Sequence, residues 1–442
     1  MDRVLGLETE YGLSARAGGR RLSAPEAAEL LFRPVVAEHR SSDVFLTNGG
    51  RLYLDVGSHP EYATPECRTA SDLLVAERAG DHLVAELASR ARALAEQSGT
   101  DVSFRLFKNN VDSFGNSYGC HENYLVSREL ELTGAVGLLA TFLITRQVVC
   151  GAGRWHGGRF TLSQRAAHLH TELSSLTTRL RPLVNTRDEP LADPARFRRL
   201  HVLAGDSNLL EPSGWLKVAT TLAVLDLLDR PGGPDDRLAR LRLADPAGAL
   251  PQVAADPLAP LDLADGRRRS AVDLQREHLE LVQEVAAPGL VALWTEVLDA
   301  LAAGEDERVA DRVEWVAKRR LLERFRQRHG LAPGDPRLAQ LDLAFHELGG
   351  PFRALEAGGA VVRITEPSAV ERALREPPRD TRAAARGAFI AAAERVHLSH
   401  SVDWQVCTVH GPAGDRTVVL DDPLSPRSSA LDALLADLPD PD

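Results

Sequence analysis

The stretch from residue 51 to residue 67 holds a dense group of side chains capable of acid–base and binding chemistry. Its first half alternates apolar with polar residues, which predicts a strand with Tyr53 and Asp55 on one face. A glycine, a serine and a proline then break the strand, so Asp55 stands where a loop turns over the strand end, a common place for catalytic groups. An amphipathic strand with a polar exit explains the pattern equally well at this point. The group comprises Arg51, Tyr53, Asp55, His59, Glu61, Thr64 and Glu66.

Acidic residues also recur in three segments that are each predicted to be a strand. In the first segment, Glu8 and Glu10 lie two positions apart and therefore point to the same face. A sheet that gathers the three segments would present a concave face of carboxylate oxygens, the ligands that Mg²⁺ prefers. A solvated strand face is the alternative for each pair alone, and His121 and His201 are either metal ligands or hydrogen-bond partners. The segments carry Glu8 with Glu10, Asp55 with Glu61, and His121 with Glu122.

Arginines accompany these acidic segments along the chain. Magnesium held by carboxylates usually accompanies a nucleotide polyphosphate, and arginine is the side chain best suited to clamp phosphate oxygens. An ordinary solvated surface is the alternative for any single member, so the joint occurrence carries the interpretation. The arginines concerned are Arg51, Arg179, Arg181, Arg187, Arg198 and Arg199.

The elements that must position these residues are predicted strands in hairpins and helices in separate runs, which indicates an α+β fold with an antiparallel sheet. The turn Asn48-Gly-Gly is a strong signal for a hairpin between residues 44–47 and 51–56. A large domain is predicted over residues 1–365 and a small α+β domain over 366–442. Further strands are predicted at 3–10, 102–108, 200–204, 361–364, 402–409 and 416–420, and helices at 25–38, 71–97, 135–150, 213–229, 271–303, 305–329, 367–376 and 381–395, with a mixed helical segment at 163–181.

Composition restricts the class of protein. The 442 residues are 44% hydrophobic and 26% charged, which is typical of a globular chain able to bury a core. A net charge of −11 argues against a nucleic-acid binder, and no apolar run has the ~18 residues of a membrane helix. The cysteines, Cys67, Cys120, Cys150 and Cys407, are scattered, which indicates reduced thiols in a cytoplasmic protein.

Three common catalytic or nucleotide motifs are absent or poorly placed. The chain has no P-loop pattern, so an ATP site would be of another kind, and no dinucleotide-binding glycine motif follows a strand. Residues 115–119 match the Gly-x-Ser-x-Gly nucleophile elbow, but a polar, turn-rich segment precedes them and a strand-like segment follows. The serine-hydrolase hypothesis is therefore disfavoured.

At the level of motifs, the chain resembles the Pup ligase family (proteasome accessory factor A type), which belongs to the glutamine-synthetase-like carboxylate–amine ligases. The similarity runs from residue 3 to near residue 420, and the motifs occur in the family's order. The motifs are Gly6-Leu-Glu-Thr-Glu-Tyr-Gly12, residues 51–67, Lys108-Asn-Asn-Val-Asp112, Ser117-Tyr-Gly-Cys-His-Glu-Asn-Tyr124, Asn185-Thr-Arg-Asp-Glu-Pro190 and Arg198-Arg-Leu-His-Val202.

The resemblance implies a glutamine-synthetase-like antiparallel sheet that forms a cradle packed on helices. It also implies an ATP- and Mg²⁺-dependent reaction. In that reaction Pup, a small and largely disordered modifier, is joined through its terminal glutamate to lysines of target proteins, which are thereby marked for the proteasome. By position, the resemblance makes Asp55 the catalytic residue, Arg51, Thr64 and Trp404 the ATP contacts, and Glu8, Tyr53 and Glu61 the metal-site residues.

Two alternatives remain open at this point. A sister enzyme, the depupylase and deamidase of Pup, shares most of the motifs but usually carries a long loop before the Asn-Gly hairpin. Here only residues 38–43 intervene between the predicted helix and strand. The sequence at 54–59 (Leu-Asp-Val-Gly-Ser-His) also resembles the ligase branch, so ligase is favoured. The other alternative is a non-catalytic module that binds ATP and Pup. No nucleic-acid or membrane partner is expected.

Overall fold

The computed structural model describes residues 2–55, 57–174, 181–412 and 414–438. Short strands dominate the first half of the chain and return near its end. The strands are β1 (Leu5–Glu10), β2 (Gly12–Ala17), β3 (Arg20–Arg21), β4 (Asp43–Phe45), β5 (Arg51–Leu54), β6 (Pro60–Ala63), β7 (Val102–Phe107), β8 (Cys120–Ser127), β9 (Arg154–His156), β10 (Arg159–Thr161), β11 (Thr171–Ser174), β12 (Pro182–Asn185), β13 (Phe197–Val202), β14 (Leu261–Asp262), β15 (Arg268–Arg269), β16 (His400–Val402), β17 (Val406–Val409) and β18 (Arg416–Val419).

Helices form most of the middle of the chain. The longest, α2, begins after Thr69, whose side chain accepts a hydrogen bond from the amide of Asp72 and so caps the first turn. The helices are α1 (Ala24–His39), α2 (Ala70–Gln97), α3 (Leu132–Thr145), α4 (Gln147–Cys150), α5 (Glu211–Leu228), α6 (Pro246–Ala255), α7 (Ala271–Val282), α8 (Pro288–Ala302), α9 (Glu314–Arg328), α10 (Pro336–Phe345), α11 (Pro351–Ala357), α12 (Pro367–Ala373), α13 (Ala383–Arg395) and α14 (Ser429–Ala436).

The central element is an eight-stranded sheet in the order β11-β12-β13-β8-β1-β6-β5-β4. All neighbouring strands pair antiparallel except β11 and β12, which pair parallel. This confirms the predicted α+β class with an antiparallel sheet. Because side chains alternate along each strand, the sheet has two chemically distinct faces.

One face of the sheet is apolar and packs on helices. Leu5 and Leu7 of β1 join Tyr124 of β8 and Leu200 of β13 in the largest hydrophobic core, to which α3, α5, α7 and α8 contribute. A second core, around Tyr62, joins the β4–β5–β6 end of the sheet to α1 and α2. The opposite face is polar, and the candidate site residues lie there.

The C-terminal segment has a hydrophobic core of its own. It is formed by residues of α13, β17, β18 and α14, with Phe389 and Cys407 fully buried in it, and Phe45 of β4 packs against it. The predicted division between residues 365 and 366 stays a prediction, but a separate core is what a small C-terminal domain requires.

Several predicted elements differ from the structure. Residues 163–181 are not helical where described, since a short 3-10 turn at Ala166–His168 leads into the strand β11. The helix predicted at 271–303 is two helices, because Pro288 cannot continue α7 and instead begins α8. No strand forms at residues 361–364. Instead, the amides of Ile364 and of the following residue, Thr365, donate hydrogen bonds to a glutamate side chain.

Candidate active site

The strand register gathers the acidic residues on the polar face. Glu8 of β1 lies opposite His121 of β8 and Ala63 of β6, while Glu10 lies opposite Glu61 of β6. Directly opposed residues of an antiparallel pair point to the same side, so these side chains meet above the sheet. The next strand continues the row, because Tyr53 of β5 lies opposite Glu61. We call the group of Glu8, Glu10, Tyr53, Glu61, His121 and His201 the cradle.

Glu8 is held ionised by neighbours on β8 and β13. Its carboxylate accepts a hydrogen bond from Asn123 Nδ2 at 3.0 Å and lies 3.2 Å from His121 Nδ1. Burial by itself would raise the pKa of Glu8, but His121 and Arg199 together lower it well below the usual value. Burial also lowers the pKa of His201 to about 3, so that imidazole is neutral near pH 7.

Glu61 has the opposite environment. Its residue is 3% exposed, and burial together with the charges of Glu8 and Glu10 raises the pKa of Glu61 well above its usual value. The Tyr53 phenol hydrogen-bonds to Glu61, and burial beside the glutamates raises the pKa of that phenol, so Tyr53 is neutral. A buried carboxylate among carboxylates is a group that gains greatly from a bound cation.

The cradle fits a divalent metal. Ligand atoms of Glu8, His121 and His201 lie within 4.8 Å of one another, and so do those of Glu10, Glu61 and His121. The space between them is kept open by Gly119, where a Cβ would overlap His121 Nε2 and lie 2.5 Å from Glu10 Oε1. Carboxylate oxygens suit Mg²⁺, and His121 Nδ1 lies 3.2 Å from the Glu8 carboxylate, where it can orient that group. The structure thus brings together the three residues assigned to the metal site by the resemblance, Glu8, Tyr53 and Glu61, with Glu10 and His121, which the sequence had also marked as candidates.

Asp55 lies immediately after β5 at the rim of the cradle. The residue is half-buried. Its backbone amide donates a hydrogen bond to the His59 carbonyl at 3.0 Å, which closes the turn to β6. Among the described residues, the carboxylate receives a long contact of 3.4 Å from the Gly57 amide, while the His59 ring stacks on Tyr118. The charge of Asp55 also contributes to the raised pKa of Glu61. Asp55 is therefore a carboxylate with free acceptor capacity beside the cradle.

A cleft of about 550 Å³ opens next to Glu8, between the sheet and the C-terminal segment. Thr64 forms part of its wall, with its hydroxyl fixed by the Leu7 amide at 3.0 Å. Arg199 lies on the other side, where it donates to Asn123 Oδ1 at 3.0 Å. Residues that line the cleft include Glu8, Thr64, Glu66, Asn123, Arg199 and Trp404.

Two predicted nucleotide contacts, Arg51 and Trp404, lie near this cleft on either side of Phe45. The Arg51 guanidinium lies 4.4 Å from the Tyr53 ring centroid and pairs with Asp43 at 2.5 Å. Trp404 packs edge-to-face on Phe45 with ring centroids 5.0 Å apart. The predicted ATP contacts and the predicted metal residues thus occupy adjacent parts of one surface.

The connection that holds Trp404 in place was not predicted. Glu66, at the wall of the cleft, forms buried ion pairs with Arg382 at 2.6 Å and with Arg386. Arg386 also donates to the carbonyls of Gly49 at 2.8 Å and Trp404 at 3.0 Å. We call the group of Glu66, Arg382 and Arg386 the seam. Glu66 belongs to the 51–67 stretch, but nothing local indicates partners more than 300 positions away.

The predicted phosphate clamps are only partly gathered. Arg199 lies in the cleft and approaches Glu8 at 3.7 Å, whereas Arg187 is exposed and Arg198 and Arg181 are half-buried. Arg179 lies outside the described residues. Ser117 of the Gly-x-Ser-x-Gly match precedes the strand β8 instead of a helix, so the nucleophile elbow is not formed. None of the described helices is both long and apolar enough to cross a bilayer.

Comparison with known proteins agrees with this geometry. The family model for Pup-ligase protein matches residues 3–408. The Pup–protein ligase of Rhodococcus erythropolis is 43% identical over 454 residues, with 99% of each chain covered.

Two solved structures match as well. A crystal structure of the complex between the prokaryotic ubiquitin-like protein Pup and its ligase PafA has a TM-score of 0.91 at 38% identity, covering 98% of this chain and 91% of that one. The Pup ligase PafA in complex with ADP has a TM-score of 0.81 at 38% identity, with 94% and 93% covered. The chain therefore belongs to the Pup-ligase protein family.

Proposed function

We propose that this protein is a Pup–protein ligase. It joins the side-chain carboxylate of Pup's terminal glutamate to lysine ε-amines of target proteins, at the expense of ATP, and so marks them for the proteasome. The observation that carries the proposal is the cradle of buried carboxylates beside a cleft, with the half-buried Asp55 at its rim. Family membership supports the same reaction, and relatives of this family are bound to ADP and to Pup in their crystal structures.

ATP is proposed to occupy the cleft with its base toward Trp404 and its phosphates toward the cradle. Thr64 has its hydroxyl bonded to a main-chain amide, so a lone pair of the oxygen and its proton remain for a ligand. Arg51 is half-buried and pairs with Asp43, and its guanidinium lies 4.4 Å from the ring centroid of Tyr53. Trp404 provides an aromatic wall, held in place by Phe45 and Arg386.

Mg²⁺ is proposed to bind Glu8 and Glu61, with Tyr53 supporting Glu61. Because Tyr53 is neutral, its phenol acts as a donor to Glu61 and not as an anionic ligand. Glu10 and His121 complete the set. The metal would neutralise charge on the transferring phosphoryl group.

The reaction proceeds in two displacements. A carboxylate oxygen of Pup attacks the γ-phosphorus of ATP, the bond to ADP breaks, and an acyl phosphate forms. A lysine amine then attacks the acyl carbon, the nitrogen loses a proton, and phosphate departs as the isopeptide bond forms. A lysine with a pKa of about 10.4 is protonated near pH 7, so it needs a base. Asp55 is the proposed base, since among the described residues its carboxylate receives one long hydrogen bond, from the Gly57 amide at 3.4 Å.

The depupylase alternative is disfavoured by one structural feature. The connection from α1 to β4 consists only of residues 40–42, so no long loop precedes the hairpin. A depupylase would cleave a purified conjugate rapidly and deamidate a Pup that ends in glutamine. A non-catalytic module would bind Pup and release no phosphate under any condition.

The test is a conjugation assay with Mg-ATP, a Pup that ends in glutamate and a lysine-bearing target. We expect a conjugate of the summed mass less one water with the wild type, and a loss of ~100-fold or more in rate with Asp55→Asn. Asp55→Asn should still bind ADP, because Asp55 does not line the cleft. Asp262→Asn, which removes an exposed carboxylate on the β14–β15 hairpin, is the matched control. Full activity of Asp55→Asn would remove Asp55 from the mechanism, and rapid cleavage without ligation would favour the depupylase.

A further inference from the structure

Arg165 is a buried cation with two side-chain nitrogens that no described residue satisfies. The residue is 4% exposed, and its Nε and Nη1 atoms have no hydrogen-bond partner in the part of the chain that the structure describes. A buried guanidinium without partners is among the most costly arrangements in a fold, so its presence requires a reason. Burial lowers the pKa of Arg165, in opposition to the nearby charge of Glu10.

Two other buried cations, Arg146 and Lys108, have carboxylate partners among the described residues, in contrast to Arg165. Arg146 makes two bonds to Glu122 and one to Thr221 at 2.6 Å. Lys108 contacts Glu77 at 2.9 Å and Asp81 at 3.0 Å. Each of these cations has carboxylate partners that account for its burial.

The main chain at Arg165 is firmly anchored. Its amide bonds to Ser163 Oγ at 3.1 Å and to Asp206 Oδ1 at 3.2 Å. Asp206 also accepts from the amides of Ala152 at 2.9 Å and Gln164 at 3.0 Å. The unpartnered guanidinium is therefore carried by a fixed turn, which favours a pre-organised binding group over a misplaced surface side chain.

The same turn is tied to the cradle by a short series of contacts. Gln164 accepts from the Asn110 amide at 2.8 Å, and Asn110 donates to the Tyr118 carbonyl at 3.3 Å. The next residue, Gly119, accepts from the Glu10 amide at 3.3 Å. Glu10 is also the carboxylate that acts most strongly on the charge of Arg165. The turn that carries Arg165 is thus joined to the Glu10 side of the cradle.

We propose that Arg165 contacts the reacting oxyanion, either the terminal phosphoryl group of ATP or the terminal glutamate of Pup. The proposal rests on the proposed function. Both groups present paired anionic oxygens that match a guanidinium. The cradle needs such a cation, because Arg199 is already engaged by Glu189 at 3.2 Å and by Asn123 at 3.0 Å.

The test compares Arg165→Met and Arg165→Lys with the wild type. Methionine has a side chain of similar length but no charge, so Arg165→Met removes an unpaired buried cation. We therefore expect the Tm of the free protein to hold or rise while the conjugation rate falls by 30-fold or more. The lysine variant should recover part of the rate, and free guanidinium added to Arg165→Ala should recover more. Arg146→Met is the matched stability control: it should lower the Tm, because it leaves Glu122 buried and unpaired.

Kinetics distinguish the two anions. A phosphoryl contact predicts a lower kcat, weaker binding of a non-hydrolysable ATP analogue and unchanged ADP affinity. A carboxylate contact predicts a KM for Pup raised tenfold or more with nucleotide affinity unchanged. The proposal is overturned if Arg165→Met conjugates within threefold of the wild type, or if rate and Tm fall together without rescue by lysine or guanidinium. A wild type that binds nucleotide but never conjugates Pup would overturn the proposed function instead.

Discussion

Two buried glutamates five positions apart, Glu61 in the cradle and Glu66 in the seam, have opposite electrostatic environments. Glu66 would have a raised pKa from burial, but Arg386 and Arg382 lower its pKa to about 2. The largest influences on Glu61 are instead burial and the charges of Glu8 and Glu10, which raise its pKa well above the usual value. The same side chain, on the same stretch of sequence, is thus stabilised as an anion in one region and destabilised in the other.

The difference separates structure from function. In the seam, the protein supplies its own counter-charges, so the carboxylate fixes the C-terminal segment against the sheet. In the cradle, the protein leaves a buried negative cluster incomplete, and a bound cation would complete it. A fold that carries such a cluster loses stability in the free state, and this is the usual compromise at a catalytic site.

The largest expected effect is the loss of the seam. Glu66→Gln leaves two buried guanidiniums without their anion, and we expect the free energy of unfolding to fall by ~3–5 kcal/mol. Urea unfolding of the nucleotide-free protein measures this. Arg196→Ala, which breaks the exposed pair with Asp422 at the same junction, should change it by less than ~1 kcal/mol. Equal stabilities for Glu66→Gln and the wild type would remove the contrast between the two regions.

Loss of the cradle carboxylate should act on activity instead. Glu61→Gln removes a proposed metal ligand and relieves repulsion with Glu8 and Glu10. We expect a fall of about 100-fold in conjugation rate, or ~3 kcal/mol of transition-state stabilisation, with unchanged or increased stability of the metal-free protein. Mg²⁺ should stabilise the wild type but not the variant in thermal melts. A destabilised Glu61→Gln that still responds to Mg²⁺ would contradict the assignment.

A smaller effect is expected where the seam meets the cleft. Trp404→Leu removes the aromatic wall that Arg386 and Phe45 hold in place. We expect the Kd for ADP to rise by about tenfold, or ~1.4 kcal/mol, with Mg²⁺ binding unaffected. Calorimetric titration with ADP measures it. Trp215→Leu, on the helical layer, is the control and should leave the Kd unchanged.

The smallest effect is a pH dependence of opposite sign in the two regions. Because the folded-state pKa of Glu61 is raised, its ionisation destabilises the metal-free protein as pH rises above the usual value of 4.5. Because the folded-state pKa of Glu66 is lowered to about 2, its stabilisation is present above pH 4.5 and is lost as pH falls toward 2. Glu61→Gln should therefore reduce the loss of stability above pH 4.5, by ~1.4 kcal/mol per pH unit at most, and Mg²⁺ affinity of the wild type should rise with pH. A Glu61→Gln profile that matches the wild type would contradict this sign.

Strand alternation was enough to predict much of the cradle. Glu8 and Glu10 share a face by spacing alone, and the Asn48-Gly-Gly turn predicted the β4–β5 hairpin correctly. The roles given to Asp55 and Trp404 came from the family resemblance and stay predictions.

The seam and Arg165 were beyond local patterns for a physical reason. Glu66 pairs with Arg386 across 320 positions, and no local spacing encodes a contact of that separation. The unpaired state of Arg165 depends on which groups surround it, so it becomes visible only once the fold is known. By contrast, the break between α7 and α8 is a local feature. Proline is disfavoured inside a helix, so Pro288 alone indicates that one helix cannot span residues 271–303.

Transfer of an isotope label tests the central claim, ligation through an acyl phosphate, most directly. Pup labelled with ¹⁸O in the side-chain carboxylate of its terminal glutamate is conjugated with unlabelled ATP, and the released phosphate is analysed by mass spectrometry. Ligation through an acyl phosphate predicts one ¹⁸O atom in phosphate for each conjugate formed, because a carboxylate oxygen leaves with the phosphoryl group. Conjugation with unlabelled phosphate, or phosphate release without any conjugate, would contradict it.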